Sequence, residues 1–239
     1  MNIILFNPAE VELPLARQDP RSQHLLQVLR RKIGDSFDCG LINGARGRGT
    51  IVAIGVSTLT LAFIWLEPPP PLSPIHLLIG LPRPPTARNI LREATSLGVT
   101  AMHFMRTERG EASYASSTLW QNEAWRECLL HGATQAFCTR LPEISYGHSL
   151  VTTLAALPTG CTRLALDNYE SASALATHPL PAAQPIALAL GAERGWTTAE
   201  RNLLRAGGFT LVNLGARVLR TETACLAAIT LIKARCGWL

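Results

Sequence analysis

Charged residues are scarce, at 16% of a 239-residue chain that is 47% hydrophobic, which excludes wholesale disorder and leaves enough apolar side chain for a substantial core. Lysine is nearly missing. Lys32 and Lys233 stand alone among 22 basic residues, and the rest are arginine. The six cysteines (Cys39, Cys128, Cys138, Cys161, Cys225 and Cys236) are scattered, with no Cys-x-x-Cys pair and no histidine at zinc-ligand spacing. That excludes a structural zinc site and leaves thiols expected to be reduced and mostly buried, without a metal. No uninterrupted apolar run reaches membrane-spanning length. The opening Met1–Pro8 lacks the basic start and long apolar stretch of a signal peptide. A soluble cytoplasmic protein with no membrane partner is expected. The usual dinucleotide-binding glycine fingerprint is missing too, and no internal repeat is visible.

What is present begins with arginine, which suits bidentate phosphate contacts and base stacking. A lineage bias toward arginine would give the same net charge of +5, so composition alone points only weakly to nucleic acid. Residues 1–70 carry 7 Lys/Arg against 6 Asp/Glu, so the front of the chain is not a strongly basic module. Local placement has to supply any RNA contact there.

The clearest seam is Glu67-Pro-Pro-Pro-Pro71, because a proline run continues neither a helix nor a central strand. It divides the chain into residues 1–70 and 71–239. Before the seam, the apolar run Ile3–Phe6, a helix over Pro20–Arg31 with Leu25, Val28 and Leu29 on one face, and strands at Ser36–Ile42, Thr50–Val56 and Thr58–Leu66 suggest a small barrel. Asn43-Gly44 favours a tight hairpin turn, and Gly44–Gly49 reads as the hairpin connection. After the seam, strands and helices alternate. Strands are expected at Ile75–Gly80, Val99–Met105, Arg163–Asp167, Pro185–Leu190 and Phe209–Leu214. Helices are expected at Ala87–Leu97, Leu119–Gln135, from Thr197-x-x-Glu200 to Gly207, and at Glu222–Arg235. Alternation of this kind implies a parallel sheet with helices on both faces, and Ile186–Leu190 has the continuous apolar texture of a buried parallel strand. Trp120 and Trp125 are read as packing helix on sheet.

Ligands of such sheets sit beyond the carboxyl ends of the strands. Two loops there stand out: Gly191-Ala-Glu-Arg-Gly195, with Glu193 as an acid at a strand tip, and Leu214–Thr223, with backbone amides, hydroxyls, Arg217 and Arg220. Each is also compatible with an ordinary strand-to-helix connection; two together point to a site.

The segment Leu214-Gly-Ala-Arg-Val-Leu-Arg-Thr-Glu-Thr-Ala224 resembles the Leu-Gly-x-Arg-(Ile/Val)-Leu-Arg-Thr-Glu-Thr-Ala signature of the RsmE family of the SPOUT class. That family methylates N3 of a uridine in the decoding region of 16S ribosomal RNA. His24-Leu-Leu-Gln-Val-Leu-Arg30, Ala94-Thr-Ser-Leu-Gly-Val99, Thr107-Glu-Arg109, Gln135, Arg140-Leu-Pro-Glu-Ile144 and Gly191–Gly195 resemble its further motifs, along nearly the whole chain. The resemblance implies a PUA-like barrel at the front and an α/β domain tied in a deep trefoil knot behind it. It also implies S-adenosylmethionine as cofactor, a homodimer with the cofactor site beside the subunit interface, and 16S rRNA or the small ribosomal subunit as partner. The cofactor residues it implies are Leu166, Leu190, Gly191, Glu193, Gly195, Leu214, Gly215, Val218, Leu219, Arg220, Thr221 and Thr223. RNA contacts are placed on His24, Arg30, Arg31, Arg46 and Arg48, each of which has a packing or solvated role as its alternative.

Uracil N3 must lose its proton before it accepts a methyl group, so the uracil anion needs stabilising and the proton needs somewhere to go. Arg220 is the candidate to stabilise the anion or hold a phosphate, and Glu193 to orient the cofactor or accept the proton. The chain departs from the family at Arg194 (a glycine there), Ser96 and Thr134 (glutamates) and Cys138 (an arginine). These departures keep two other readings open: a catalytically degenerate ribosome-binding paralogue, and a methyltransferase for a different RNA nucleotide.

Overall fold

The computed structural model describes residues 3–181 and 184–239. Met1 and Asn2, which head the first expected domain, and Ala182 and Ala183 lie outside the described residues. The chain forms two compact units, 1–71 with 133–141 and 72–132 with 142–239. The seam at the proline run therefore comes with a second feature that the pattern did not indicate: residues 133–141 rejoin the first unit.

Among the described residues the first unit holds one five-stranded sheet. Its strands are β1 (Ile4–Phe6), β2 (Leu15–Ala16), β3 (Ser36–Leu41), β4 (Arg46–Ile54) and β5 (Thr58–Trp65), in the order β1-β3-β4-β5-β2. The sheet curls around Phe6, Leu25, Phe37, Ile51 and Leu59. It is a half-barrel, since β1 and β2 are not paired with each other. Asn43 takes the left-handed conformation (φ 59°) at the β3–β4 turn. Arg46–Gly49 belongs to β4 rather than to the connection. Its glycines admit neighbours: a Cβ on Gly47 would collide with the Ile64 carbonyl, and one on Gly49 with the Phe37 ring.

The expected helix over 20–31 is shorter and differently wound. α1 (Pro20–Gln23) is capped by the Asp19 carboxylate and passes into a π-helical stretch, His24–Val28. The wider winding breaks the 3.6-residue spacing. Leu25 is buried, whereas Val28 is 67% and Leu29 42% exposed, so the three do not share a buried face.

The second unit holds seven parallel strands: β6 (Ser73–Gly80), β7 (Val99–Arg106), β8 (Glu143–Ser149), β9 (Thr162–Leu166), β10 (Ser173–Ala174), β11 (Ile186–Leu190) and β12 (Thr210–Asn213), in the order β10-β12-β9-β11-β6-β7-β8. α2 (Pro84–Ser96) starts at two prolines, whose fixed φ suits a first turn, and stops at Gly98 with φ 74°. The stretch expected as one helix over 119–135 is broken by Glu123 (φ 53°) into α3 (Thr118–Gln121) and α4 (Ala124–Gln135). Trp120 on α3 stacks on Tyr146 and tilts against Phe104, as a packing residue should. α5 (Leu150–Ala155) and α6 (Thr198–Ala206) cover one face of the sheet through Leu150, Leu204 and Trp196. α7 (Thr221–Cys236) packs beside α2. Every side chain of β11 is buried, as expected for a strand with helices on both faces.

All six cysteines are free; Cys138 and Cys161 are partly exposed and the rest buried. Burial pushes the thiols of Cys39 and Cys225 up to about 12, so neither is a ready nucleophile. Among the described residues no helix is long and apolar enough to cross a membrane. Among the described residues no cluster of three or more His, Cys, Asp or Glu is placed to hold a metal ion.

His76 and His103 lie with their rings parallel, centroids 6.1 Å apart. Burial holds both imidazoles below the usual histidine range, and their proximity adds to this at His103. The folded chain therefore resists protons that the unfolded chain accepts, and stability is lost as pH falls below about 6.5. His103→Asn is expected to flatten the fall in Tm between about pH 7.5 and 5.5. An unchanged slope would show that other groups carry the acid sensitivity.

Candidate active site

The tips of β9, β11 and β12 and the start of α7 surround a cleft of about 190 Å³. Three chain segments build it. The first follows β11. Gly191–Gly195 is a tight turn closed by the Gly195 N–H donating to the Ala192 carbonyl (2.8 Å), with Gly195 at φ 64°. The turn nests on β6, because Gly80 has no Cβ to strike the Ala192 amide. Beyond it the Trp196 indole N–H donates to the Leu166 carbonyl (3.0 Å), tying the turn to the tip of β9.

The second segment is 167–170. Asp167 accepts the backbone N–H groups of Tyr169 (2.8 Å) and Glu170 (2.6 Å) on one oxygen and the Arg201 Nε–H (2.8 Å) on the other. The side chains of this ion pair are 2% and 6% exposed. The Arg201 guanidinium also lies over the Tyr169 ring, 5.4 Å from its centroid. A buried acid thus shapes a turn whose residues Asp167, Asn168 and Tyr169 face the cleft.

The third segment is 214–220. Asn213 accepts the Gly215 N–H (3.0 Å), and Gly215 has φ 103°. From Ala216 to Arg220, no backbone N–H donates to a protein acceptor among the described residues. Residues 215–220 are exposed, so these amides are open to a polar ligand.

Of the expected cofactor residues, Leu166, Leu190, Gly191, Glu193, Gly195, Leu214, Val218, Leu219 and Thr221 line the cleft, together with Arg217. Gly215 shapes the loop without lining it. Arg220 directly precedes α7, is exposed and does not line the cleft, and Thr223 lines a neighbouring apolar groove along α7. Glu193 is engaged: one oxygen accepts the Arg83 N–H (3.0 Å) at the start of α2, where a helix favours a negative charge. Arg194 is exposed, its carbonyl accepting from Arg109 (3.0 Å), and it borders the cleft without filling it.

The other departures sit elsewhere. The Ser96 hydroxyl donates to the Gly132 carbonyl (3.0 Å), fastening α2 to α4. Thr134 and Cys138 belong to the first unit. In that unit Arg30 (φ 52°), Arg31 and Arg48 are exposed, Arg46 and His24 half-buried, and Arg48 lies 3.8 Å from Asp38. Exposed Val28, Leu29 and Ile33 flank Arg30–Lys32. The Asp167–Arg201 pair was not anticipated; an acid directly after the apolar run Leu164-Ala-Leu166 was the available signal.

The fit to a nucleoside-like ligand is good. Leu166, Leu190, Val218 and Leu219 give apolar walls, and the unbonded loop amides give polar edges. Comparison with known proteins agrees. A family model described as an RNA methyltransferase domain matches residues 68–233. The ribosomal RNA small subunit methyltransferase E of Treponema pallidum is 38% identical over 98% of this chain and 91% of its own length. The protein of the same name from Synechocystis is 30% identical over 94% of this chain and 74% of its own. Among solved structures, a ribosomal RNA small subunit methyltransferase E from Neisseria gonorrhoeae bound to S-adenosyl methionine superposes with a TM-score of 0.79 at 23% identity, over 98% of both chains. A probable rRNA-methyltransferase from Porphyromonas gingivalis gives 0.83 at 20%, over 98% of this chain and 99% of that one. At such identities the structures speak to a shared fold.

Proposed function

The chain belongs to the ribosomal RNA small subunit methyltransferase E family, S-adenosylmethionine-dependent enzymes of rRNA, and from that premise we propose that it methylates N3 of a uridine in 16S rRNA, on the small ribosomal subunit in the cytoplasm. The observation that carries this reading is the cleft at three strand tips, roofed by a loop with unbonded amides.

When bound, the cofactor supplies a methyl group on a sulfonium, so alignment is most of what the protein must add. Backbone groups of 190–195 and 214–220 hold its polar edges, and Leu166, Val218 and Leu219 its apolar faces. Thr221 adds a hydroxyl. Glu193 acts as the orienting group, because its bond to the Arg83 amide fixes the turn. Arg220, exposed just ahead of α7, holds a phosphate as the RNA docks.

Residues 1–70 are the PUA-like RNA-binding domain in this reading, meeting phosphates through Arg30, Arg31, Arg46 and Arg48, with His24 beside them. Residues 71–239 are the SPOUT domain with its trefoil knot. The strand order supports a knot: β11 lies between β9 and β6, and the later β12 returns to the far side of β9. A homodimer is supported by α7, whose outward residues Thr223, Ala227, Thr230 and Ala234 are small and uncharged, with Leu226 and Leu231 beside them. This groove has Glu222 at one end and is otherwise uncharged, and such a face suits cover by a second copy. Leu214 and Leu219 border both that groove and the cleft, so in this reading the cofactor lies next to the second copy.

Mass mapping of rRNA from a strain lacking this protein should show the loss of one 3-methyluridine, restored by the gene. An unchanged map, or loss at another kind of nucleotide, would refute the acceptor.

A further inference from the structure

The cleft has a neighbour along the same rim of the sheet. Where β11, β6 and β7 end, a second cavity of about 340 Å³ opens. It shares Glu193 and Arg194 with the cleft. Arg83 enters from the start of α2, Glu108 and Arg109 from the turn after β7, and Tyr114 from the short helix that follows.

Its chemistry is unusual for a surface hollow. Three guanidiniums (Arg83, Arg109, Arg194) meet three carboxylates (Glu108, Glu111, Glu193), so the charges formally cancel. Yet among the described residues none of the three arginines makes an ion pair. The arginines are held by other means. Arg109 donates to the Arg194 carbonyl (3.0 Å) and Arg83 Nε to the Thr86 hydroxyl (3.3 Å), leaving further guanidinium N–H groups free. Glu193 is occupied by the Arg83 amide and Glu111 by the Ser113 hydroxyl (3.4 Å). Glu108 has its backbone N–H fixed by Glu200 (2.8 Å), and its carboxylate has no partner among the described residues. A neutral balance argues against a phosphate trap. Separate donors and an acceptor beside an aromatic ring instead match a planar base with mixed edges.

Uracil presents an acceptor, a donor and an acceptor along O2, N3–H and O4. We propose that this second cavity receives the target uracil, with Arg83 and Arg109 donating to its carbonyl oxygens and Glu108 accepting its N3–H. The assignment rests on the methyltransferase reading and places the acceptor next to the donor, in the cavity that shares Glu193 and Arg194 with the cleft. The N3 proton passes to the Glu108 carboxylate, and the N3 electron pair forms the new N–CH3 bond. The S–CH3 bond breaks with its electrons left on sulfur, so a cation and an anion give two neutral products. Cytosine is rejected, because its N3 has no proton for Glu108 and its amino group faces an arginine.

The test uses the full chain, small subunits from the deletion strain and labelled S-adenosylmethionine, with calorimetric titration of the cofactor alongside. Arg83→Ala and Glu108→Gln should lower kcat/KM for the subunit by roughly 10²-fold, with cofactor affinity unchanged within about threefold. Arg83→Ala keeps the backbone bond to Glu193, so it decides the matter even if Arg109→Ala unfastens the Arg194 carbonyl. If both variants methylate uridine at the wild-type rate, the assignment is wrong. If the wild-type protein transfers no methyl group to uridine, the broader reading fails instead.

Discussion

Arg201→Met is expected to cost about 3–5 kcal/mol of unfolding free energy in urea titrations and to weaken cofactor binding with it. The reason is what the substitution leaves behind. Asp167 is buried between β9 and α6, and its second oxygen has Arg201 as ionic partner. With that partner gone, a carboxylate stays in a low-dielectric site without compensation. It still accepts the Tyr169 and Glu170 amides, so the cost falls on the turn that walls the cleft. Arg201 also reaches Glu170 at 3.5 Å, which Arg205 holds at 2.6 Å, so the turn is braced from α6 at two points. Adding Asp167→Asn to Arg201→Met should recover much of the loss, because an amide oxygen still accepts both of the turn's N–H groups and no charge is stranded. A single-variant loss below about 1 kcal/mol would mean that the pair behaves like an exposed one.

The parts of this architecture that were legible in the sequence are those whose side chains face a single environment. β11 is apolar without interruption because both of its faces are covered. α6 announces itself because Thr197 and Glu200 cap one another through backbone bonds, a local pattern needing no tertiary knowledge. β8 went unseen because it is an edge strand, paired on one side only, whose Ser-Tyr-Gly-His run is largely solvent-facing. α5 after it spans six residues, too few for a periodic signal. The π-helical winding at His24–Val28 and the glycine packing of β4 are tertiary in origin, and no local preference encodes them.

The site divides the same way. The loops after β11 and β12 could be found from glycines, an acid and a hydroxyl-rich helix start. That the tip of β9 would supply Asp167, Asn168 and Tyr169 depends on β9 lying between β11 and β12, a strand order the sequence does not display. Arg83 and Arg109 are likewise brought beside Glu193 and Arg194 only by the pairing of β6 with both β11 and β7.

Gly191→Ala should weaken S-adenosylmethionine binding by at least about 10²-fold, near 3 kcal/mol, while the chain stays folded. A Cβ at this position would lie 2.9 Å from both the Cα and the carbonyl carbon of Gly195. Those are backbone atoms, so no side chain can swing aside; the turn must open. Opening it breaks the Gly195–Ala192 bond and pulls Glu193 from the Arg83 amide and the Arg194 carbonyl from Arg109. Each is a support of the turn whose residues Glu193 and Arg194 border both the cleft and the second cavity. Gly195→Ala is the control. A Cβ there meets nothing within 4 Å, and its cost is confined to the left-handed φ of 64°, roughly 1–2 kcal/mol of backbone strain. If the cleft depends on the closed turn, calorimetry will rank Gly191→Ala well below Gly195→Ala in affinity. Equal losses would mean that the closed turn is not what holds the cofactor.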